Sequence, residues 1–337
     1  MRAFRVGRVR WRQGLRPLFA GALLAAASGF AAPAQTRSLE ELTAAVVRVK
    51  TEIEPDGRTA STLGREREGS GIVIDNDGLV LTIGYLMVEA RSAEIGTDDG
   101  RSVPATVVGY DHETGFGLLR ALLPLKRAPI PFGKSAELKE RDPVLVASFG
   151  GAAMVAAARV AAKREFAGSW EYLLDEAIFT VPPHPAWSGA ALIGRDGKLV
   201  GVGSLIVGDA AGGEPGNMFV PIDRLAPILG DLIANGRPSG PARPWLGVTA
   251  NEADGKLVVA RVVPGGPAER AGVVAGETII GVDGERPRSL AEFYRLVWAR
   301  GSAGVAVPLE LSRDGAVRKL DITSMNRLDH LKLKSSL

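Results

Sequence analysis

The sequence predicts a mostly β protein made of two successive units. Its 337 residues suffice for two cores of ordinary domain size. Its 42 glycines and 21 prolines lie among short β-branched runs, which suits strands and turns better than long helices. A polar stretch, Asn235-Gly236-Arg237-Pro238-Ser239-Gly240-Pro241, divides the pattern and reads as a linker.

The first 34 residues stand apart. Arg2, Arg5, Arg8, Arg10, Arg12 and Arg16 form a basic start. Residues 18–32 are apolar but short for a membrane span, and Ala32-Pro33-Ala34 fits a cleavage site before Gln35. The expectation is an export signal, or an inner-membrane anchor if it is left uncleaved. The whole chain carries +3, and this segment holds six arginines and no acidic residue, so the remainder carries −3. The basic balance therefore belongs to the segment and is no argument for nucleic-acid binding. Cysteine is absent, which excludes disulfides and a thiol nucleophile.

In the first unit, a short helical start over 38–44 passes into the strand Ala45-Val46-Val47-Arg48-Val49. Residues 58–68 are polar and read as a mobile loop. The apolar runs 71–74 and 79–82 flank Asp75-Asn76-Asp77-Gly78, a hairpin signal. Short strand-like runs recur from 93 to 221 at the spacing of barrels or sandwiches. Residues 227–234 close the unit as a helix, with Pro227 in its first turn.

In the second unit, 245–248 and 257–263 read as strands. Residues 267–272 form a short helix ending at Gly272. The strand 278–282 ends in the Asp283-Gly284 turn. A helix over 289–300 has Ser289 as N-cap and Glu292 three residues on, a capping box. Phe293, Leu296 and Val297 on that helix suit either the core or a ligand groove. The runs 305–311 and 317–322 pair around Arg313-Asp314-Gly315.

Scans for other chemistry find little. Phe132-Gly133-Lys134-Ser135 has the end of a phosphate loop, but Ala128 stands where its first glycine is needed. Gly201-Val202-Gly203 lacks a third glycine. Three scattered histidines, His112, His184 and His330, do not make a zinc site. No metal and no cofactor is expected. No basic patch with interleaved aromatics occurs, and no nucleic-acid partner is expected.

In order and spacing, residues 44–325 resemble the HtrA (Deg) family of envelope proteases, a trypsin-like double β-barrel followed by a PDZ domain. The residues that carry the resemblance are Gly69-Ser70-Gly71-Ile72-Val73-Ile74 with Asp77-Gly78-Leu79-Val80-Leu81-Thr82, then Pro185-Ala186-Trp187-Ser188-Gly189-Ala190-Ala191-Leu192, and Met218-Phe219-Val220-Pro221-Ile222-Asp223. Trp245-Leu246-Gly247-Val248, Pro267-Ala268 and Ala275-Gly276-Glu277-Thr278-Ile279-Ile280 carry it in the second unit. The resemblance implies a signal over 1–34, a protease-like domain over 35–238, a PDZ domain over 239–325 and a flexible tail over 326–337.

It also implies site residues. Ser188 falls at the nucleophile position. Tyr85 falls at the position of the catalytic histidine, in Ile83-Gly84-Tyr85-Leu86-Met87. Gly115 falls at that of the acid, in Asp111-His112-Glu113-Thr114-Gly115-Phe116. A serine hydroxyl needs a neighbouring base, and that base needs an orienting group. Tyr85 is then read as core filler and Ser188 as a turn serine inherited with the fold. Ala186 replaces a glycine of the oxyanion loop, and Trp187 adds bulk beside the nucleophile. Trp245, Leu246, Gly247 and Val248 fall at the loop that binds a peptide carboxylate, with Pro244 removing one amide.

The resulting expectation is an exported, periplasmic protease-like protein that has lost catalysis. It would bind protein C-termini or unfolded polypeptides in envelope quality control. The alternative is an active serine endopeptidase that uses Ser188 with an atypical base. Lys334-Ser335-Ser336-Leu337 ends as many PDZ ligands do, which suggests that the chain could bind its own terminus. No aromatic residue lies between Gln35 and Gly84, where family trimers usually hold theirs, so the oligomeric state stays open.

Overall fold

The computed structural model of the chain describes residues 38–333. The export segment expected over 1–34 and the terminal residues 334–337 lie outside the described residues. The expected strands close into two barrels and one open sheet.

A helix α1 (Leu39–Ala44), capped by the Ser38 hydroxyl, leads into the first barrel. This barrel comprises β1 (Val46–Ile53), β2 (Glu66–Val73), β3 (Leu79–Ile83), β4 (Ala90–Gly96), β5 (Ser102–Tyr110) and β6 (Phe116–Ala121), with a single turn of helix, α2 (Ala60–Leu63), between β1 and β2. It closes in the order β1-β2-β3-β6-β5-β4, because β1 pairs with both β2 and β4. Closure leaves no free edge, and the apolar interior of Val47, Val49, Ile72, Ile95 and Phe116 is fully buried. The turn between β2 and β3 forms as its residues require. Asp75 Oδ1 accepts from the Asp77 and Leu79 amides.

The second barrel comprises β7 (Pro143–Ala147), β8 (Val155–Gly168), β9 (Tyr172–Val181), β10 (Ala191–Ile193), β11 (Leu199–Ala211) and β12 (Glu214–Pro221), and closes in the order β10-β11-β12-β9-β8-β7. Helix α3 (Ala226–Asn235) follows and ends at Gly236 in the left-handed conformation. The third unit is a sheet of β13 (Val248–Ala253), β14 (Lys256–Val262), β15 (Thr278–Val282), β16 (Ala306–Arg313) and β17 (Ala316–Thr323), with α4 (Pro267–Arg270) and α5 (Leu290–Trp298). Its strands lie in sequence order, so β13 is an edge. Ser289 accepts from the Glu292 amide, but the Glu292 carboxylate takes the Arg288 amide, so half of the expected capping box forms. Phe293 and Val297 are buried with Leu246, Val248 and Leu309, and Leu296 packs on the same cluster. The same cluster takes in Leu173 of the β8–β9 hairpin, so these positions serve the core and the slot beside α5 together.

Two segments differ from expectation for one reason. Residues 58–68 are not a free loop, since α2 lies within them and β2 begins at Glu66. Residues 326–333 are not a free tail either. They form α6 (Arg327–His330), and Leu328, Leu331 and Leu333 pack against the barrel core. Both segments are held by the Glu89 carboxylate, which accepts from the Arg58, Thr59 and Lys332 amides and the Thr59 hydroxyl. Long-range contacts to one polar side chain carry no local signal in the sequence.

Burial acts to raise the Glu89 carboxyl, but these donors outweigh it and hold the group below its ordinary value of 4.5. Its stabilisation is therefore present above pH 4.5 and is lost as pH falls through the lower value of the folded state. Glu89→Ala is expected to cost about 2–3 kcal/mol at neutral pH, because hydrogen bonds to a charged group are the strong ones. Urea denaturation midpoints at neutral and acid pH check this, and the gap between variant and parent should narrow in acid.

Candidate active site and peptide site

Ser188 sits on the loop between β9 and β10, pressed against β2 of the other barrel. Its carbonyl accepts the Ser70 amide at 2.8 Å. The next residue must be glycine. Gly189 has φ +72, and a Cβ there would lie 1.9 Å from the Ser70 carbonyl oxygen. The nucleophile loop thus keeps a tightly specified backbone.

Tyr85 lies on the 3-10 turn that follows β3. Its ring packs on the barrel core as expected. Its hydroxyl does more than fill space. It lies 2.8 Å from Ser188 Oγ and 2.9 Å from the Ser204 carbonyl oxygen. A carbonyl only accepts, so the single phenolic proton goes to Ser204. The Ser188 hydroxyl must then donate to the phenol oxygen. Burial pushes the Tyr85 phenol up to about 12, with contacts to Ser188 and Trp187 acting the other way. At pH 7 the basic phenolate is then present in roughly one molecule in 10⁵. The Ser188 hydroxyl thus faces a phenol that is protonated at neutral pH.

Gly115 cannot orient a base, having no side chain, and its backbone has another task. It has φ +83, its amide donates to the Asp111 carbonyl, and its carbonyl accepts from Gly84 beside Tyr85. The nearby Asp111 carboxylate is taken by the Glu113 and Thr114 amides and the Thr114 hydroxyl.

None of the three histidines bonds to Ser188. His112 is half-buried between the Tyr110 hydroxyl and Arg327, whose guanidinium lies 2.8 Å from Nε2. Burial first, then Arg327, holds it far below its ordinary value, so it is neutral. His184 Nδ1 accepts the Ala186 amide at 3.1 Å. His330 rests against Trp245, with ring centres 4.9 Å apart. The Ala186 contact also matters for the oxyanion loop. The amides of Ala186, Gly189 and Ala190 are committed to His184, Gly203 and Trp187. Oxyanion stabilisation needs donors aimed at substrate.

At the second site, the loop before β13 turns three successive amides onto one carboxylate. Glu171 Oε2 accepts from Leu246 at 2.9 Å, and Oε1 accepts from Gly247 at 2.7 Å and Val248 at 2.9 Å. Leu246, Gly247 and Val248, expected at a carboxylate loop, thus turn their amides onto a side-chain carboxylate. Trp245 does not. It exchanges backbone hydrogen bonds with Met325 in both directions. Glu171 belongs to the tip of the β8–β9 hairpin and went unnoticed in the sequence. Glutamate at a polar turn is ordinary, and only its unusual φ of +58 sets it apart in the fold.

Residues 69–202 match the trypsin-like peptidase domain and residues 244–323 match the PDZ domain. A probable periplasmic serine endoprotease DegP-like of Pseudomonas putida (strain W619) is 31% identical over 283 residues, 77% of this chain and 57% of that protein. The chain belongs to the HtrA family. Serine protease PepD of Mycobacterium tuberculosis (strain ATCC 25618 / H37Rv) is 30% identical over 315 residues, covering 85% of this chain and 66% of PepD. This HtrA chain thus spans a little over half to two thirds of these relatives. The solved structure of the HtrA-type protease AlgW with decapeptide has a TM-score of 0.51 and 21% identity, over 86% of this chain and 99% of that one. That likeness shows the fold, a trypsin-like double barrel with a PDZ sheet.

The HtrA chain has four tyrosines, and burial raises every one of them: Tyr85, Tyr110, Tyr172 and Tyr294. Ultraviolet titration of the folded protein should therefore show its tyrosines ionising above the ordinary value of 10. A tyrosine that ionises near pH 9 would contradict this.

Proposed function

We propose that this HtrA-family chain lacks peptidase activity. Its work is to bind polypeptides through its PDZ domain in the bacterial envelope, as an adaptor, holdase or regulatory subunit in protein quality control. One observation carries the reading. Among the described residues, the side chain bonded to the Ser188 hydroxyl is a phenol that gives its own proton to the Ser204 carbonyl. Gly115 at the expected acid position and the engaged Ala186 amide support it. The periplasmic setting rests on the DegP-like relatives and on the basic, apolar pattern of residues 1–34. Among the described residues no helix is long and apolar enough to cross a membrane.

The second reading, an active endopeptidase with Tyr85 as base, draws on the same 2.8 Å contact. A fluorophosphonate probe and casein cleavage separate the two, because the probe reads nucleophile activation directly. The expected result is no labelling and no cleavage beyond that of Ser188→Ala. Labelling of the parent that disappears in Ser188→Ala would establish the active reading.

Restoring the two side chains should not restore turnover. In Tyr85→His with Gly115→Asp, the new aspartate would sit at φ +83, its Cβ 3.4 Å from the Tyr172 hydroxyl. The Ala186 amide would still face His184, and a missing oxyanion donor costs ~3 kcal/mol of transition-state stabilisation. Casein hydrolysis by the double variant at rates typical of an active protease would overturn this.

A further inference from the structure

The groove of the PDZ domain is not open. A peptide bound by strand addition uses three features: a loop of amides for its carboxylate, a free strand edge for its backbone, and an apolar slot beside a helix. In this chain each of them meets residues 167–173, around the tip of the β8–β9 hairpin. The Glu171 carboxylate takes the amides of Leu246, Gly247 and Val248. At the edge strand β13, the Ala250 amide donates to the Ser169 carbonyl at 2.9 Å. On α5, the Tyr294 hydroxyl donates to the Gly168 carbonyl at 2.7 Å and accepts from the Glu171 amide at 3.2 Å. Leu173 is buried in the same apolar cluster as Leu246, Phe293 and Val297.

We infer that Glu171 is an internal ligand of the PDZ carboxylate loop, and that a partner's free C-terminus binds by displacing it. This rests on the peptide-binding reading above. The side-chain carboxylate stands in for a terminal carboxylate, and Ser169 stands in for the first residue of an added strand. The chain's own terminus is not needed as the mask. Lys332, close to it, is held at Glu89 on the barrel.

The contact is poised rather than locked. The carboxylate is buried, and burial pushes it up to about 7, although three amides and the charge of Arg327 favour the anion. The charged and titratable groups around it are Arg327 of α6, Tyr294 of α5 and neutral His112 of the 111–115 loop. Between its ordinary value of 4.5 and about 7 the docked carboxyl holds protons that a free one releases. Docking therefore weakens as pH rises through that window and is level above it. A peptide's terminal carboxylate, which gains the same three amides, competes best on the upper side.

The test uses the full chain with Glu171→Gly, which suits the left-handed backbone at that position, and Glu171→Gln, which keeps the size of the side chain. The probes are labelled ten-residue peptides of mixed sequence ending in a free valine, and the same peptides amidated at the C-terminus. The free-acid peptides should bind both variants at least about tenfold more tightly than the parent, because the docked fraction no longer taxes affinity. Amidation should abolish binding. Equal affinity in parent and variants overturns the inference. A second readout needs no peptide. Exchange protection of the Leu246, Gly247 and Val248 amides should fall in Glu171→Gly, and unchanged protection would also overturn it. If that protection falls and yet no peptide binds any form, the internal contact stands and the peptide-binding reading fails.

Discussion

A carboxylate removed from water has to be met by donors, and Glu171 is met by three amides from one turn of chain. Much of the arrangement between barrel and PDZ sheet depends on that contact. It fixes the hairpin tip against α5 and β13. It also places Tyr172, whose hydroxyl donates to the Thr114 carbonyl at 2.7 Å. Thr114 precedes Gly115, and Gly115 is bonded to Gly84 beside Tyr85. A short, continuous path of packed groups thus runs from the PDZ loop to Ser188.

The barrel site shows how scaffold and chemistry separate. The glycines that let β2 and the nucleophile loop touch are retained, since a Cβ at Gly69, Gly189 or Gly203 would strike neighbouring backbone or side chain. That precision serves packing as well as it serves catalysis. Proton transfer is a different requirement. It needs a group that is unprotonated near neutral pH and able to take a proton, and burial pushes the Tyr85 phenol up to about 12, where it keeps its own.

The architecture was legible because it is written in local terms. Turns such as Asp75-Asn76-Asp77-Gly78, β-branched runs and the Ser289 cap each form what their residues favour. The likeness of short segments drew Ser188 and Leu246-Gly247-Val248 out of the sequence, and in the fold the first meets Tyr85 and the second meets Glu171. What stayed hidden is non-local. The Tyr85 hydroxyl meets Ser188 across 103 positions, Glu171 meets Gly247 across 76, and Glu89 meets Lys332 across 243. Trp245 was assigned to the carboxylate loop because it adjoins it, yet its backbone faces Met325. Residues 58–68 and 326–333 looked free because their polar composition says nothing of a single distant acceptor.

The pairing of Trp245 with Met325 gives the PDZ domain an unusual standing in the chain. The polypeptide enters the domain and leaves it at the same point, and residues 327–333 then return to the barrel. A domain attached at one end can swing away on its linker. One fastened at both ends cannot go far, and any opened groove stays beside the hairpin at an effective concentration of about millimolar order. If the domain binds peptide ends as proposed, reclosure would compete with every visiting peptide and expel short or weakly held ends. The fastening would then make the domain a filter by threshold, which answers to a ligand's tightness and abundance together rather than to its mere presence.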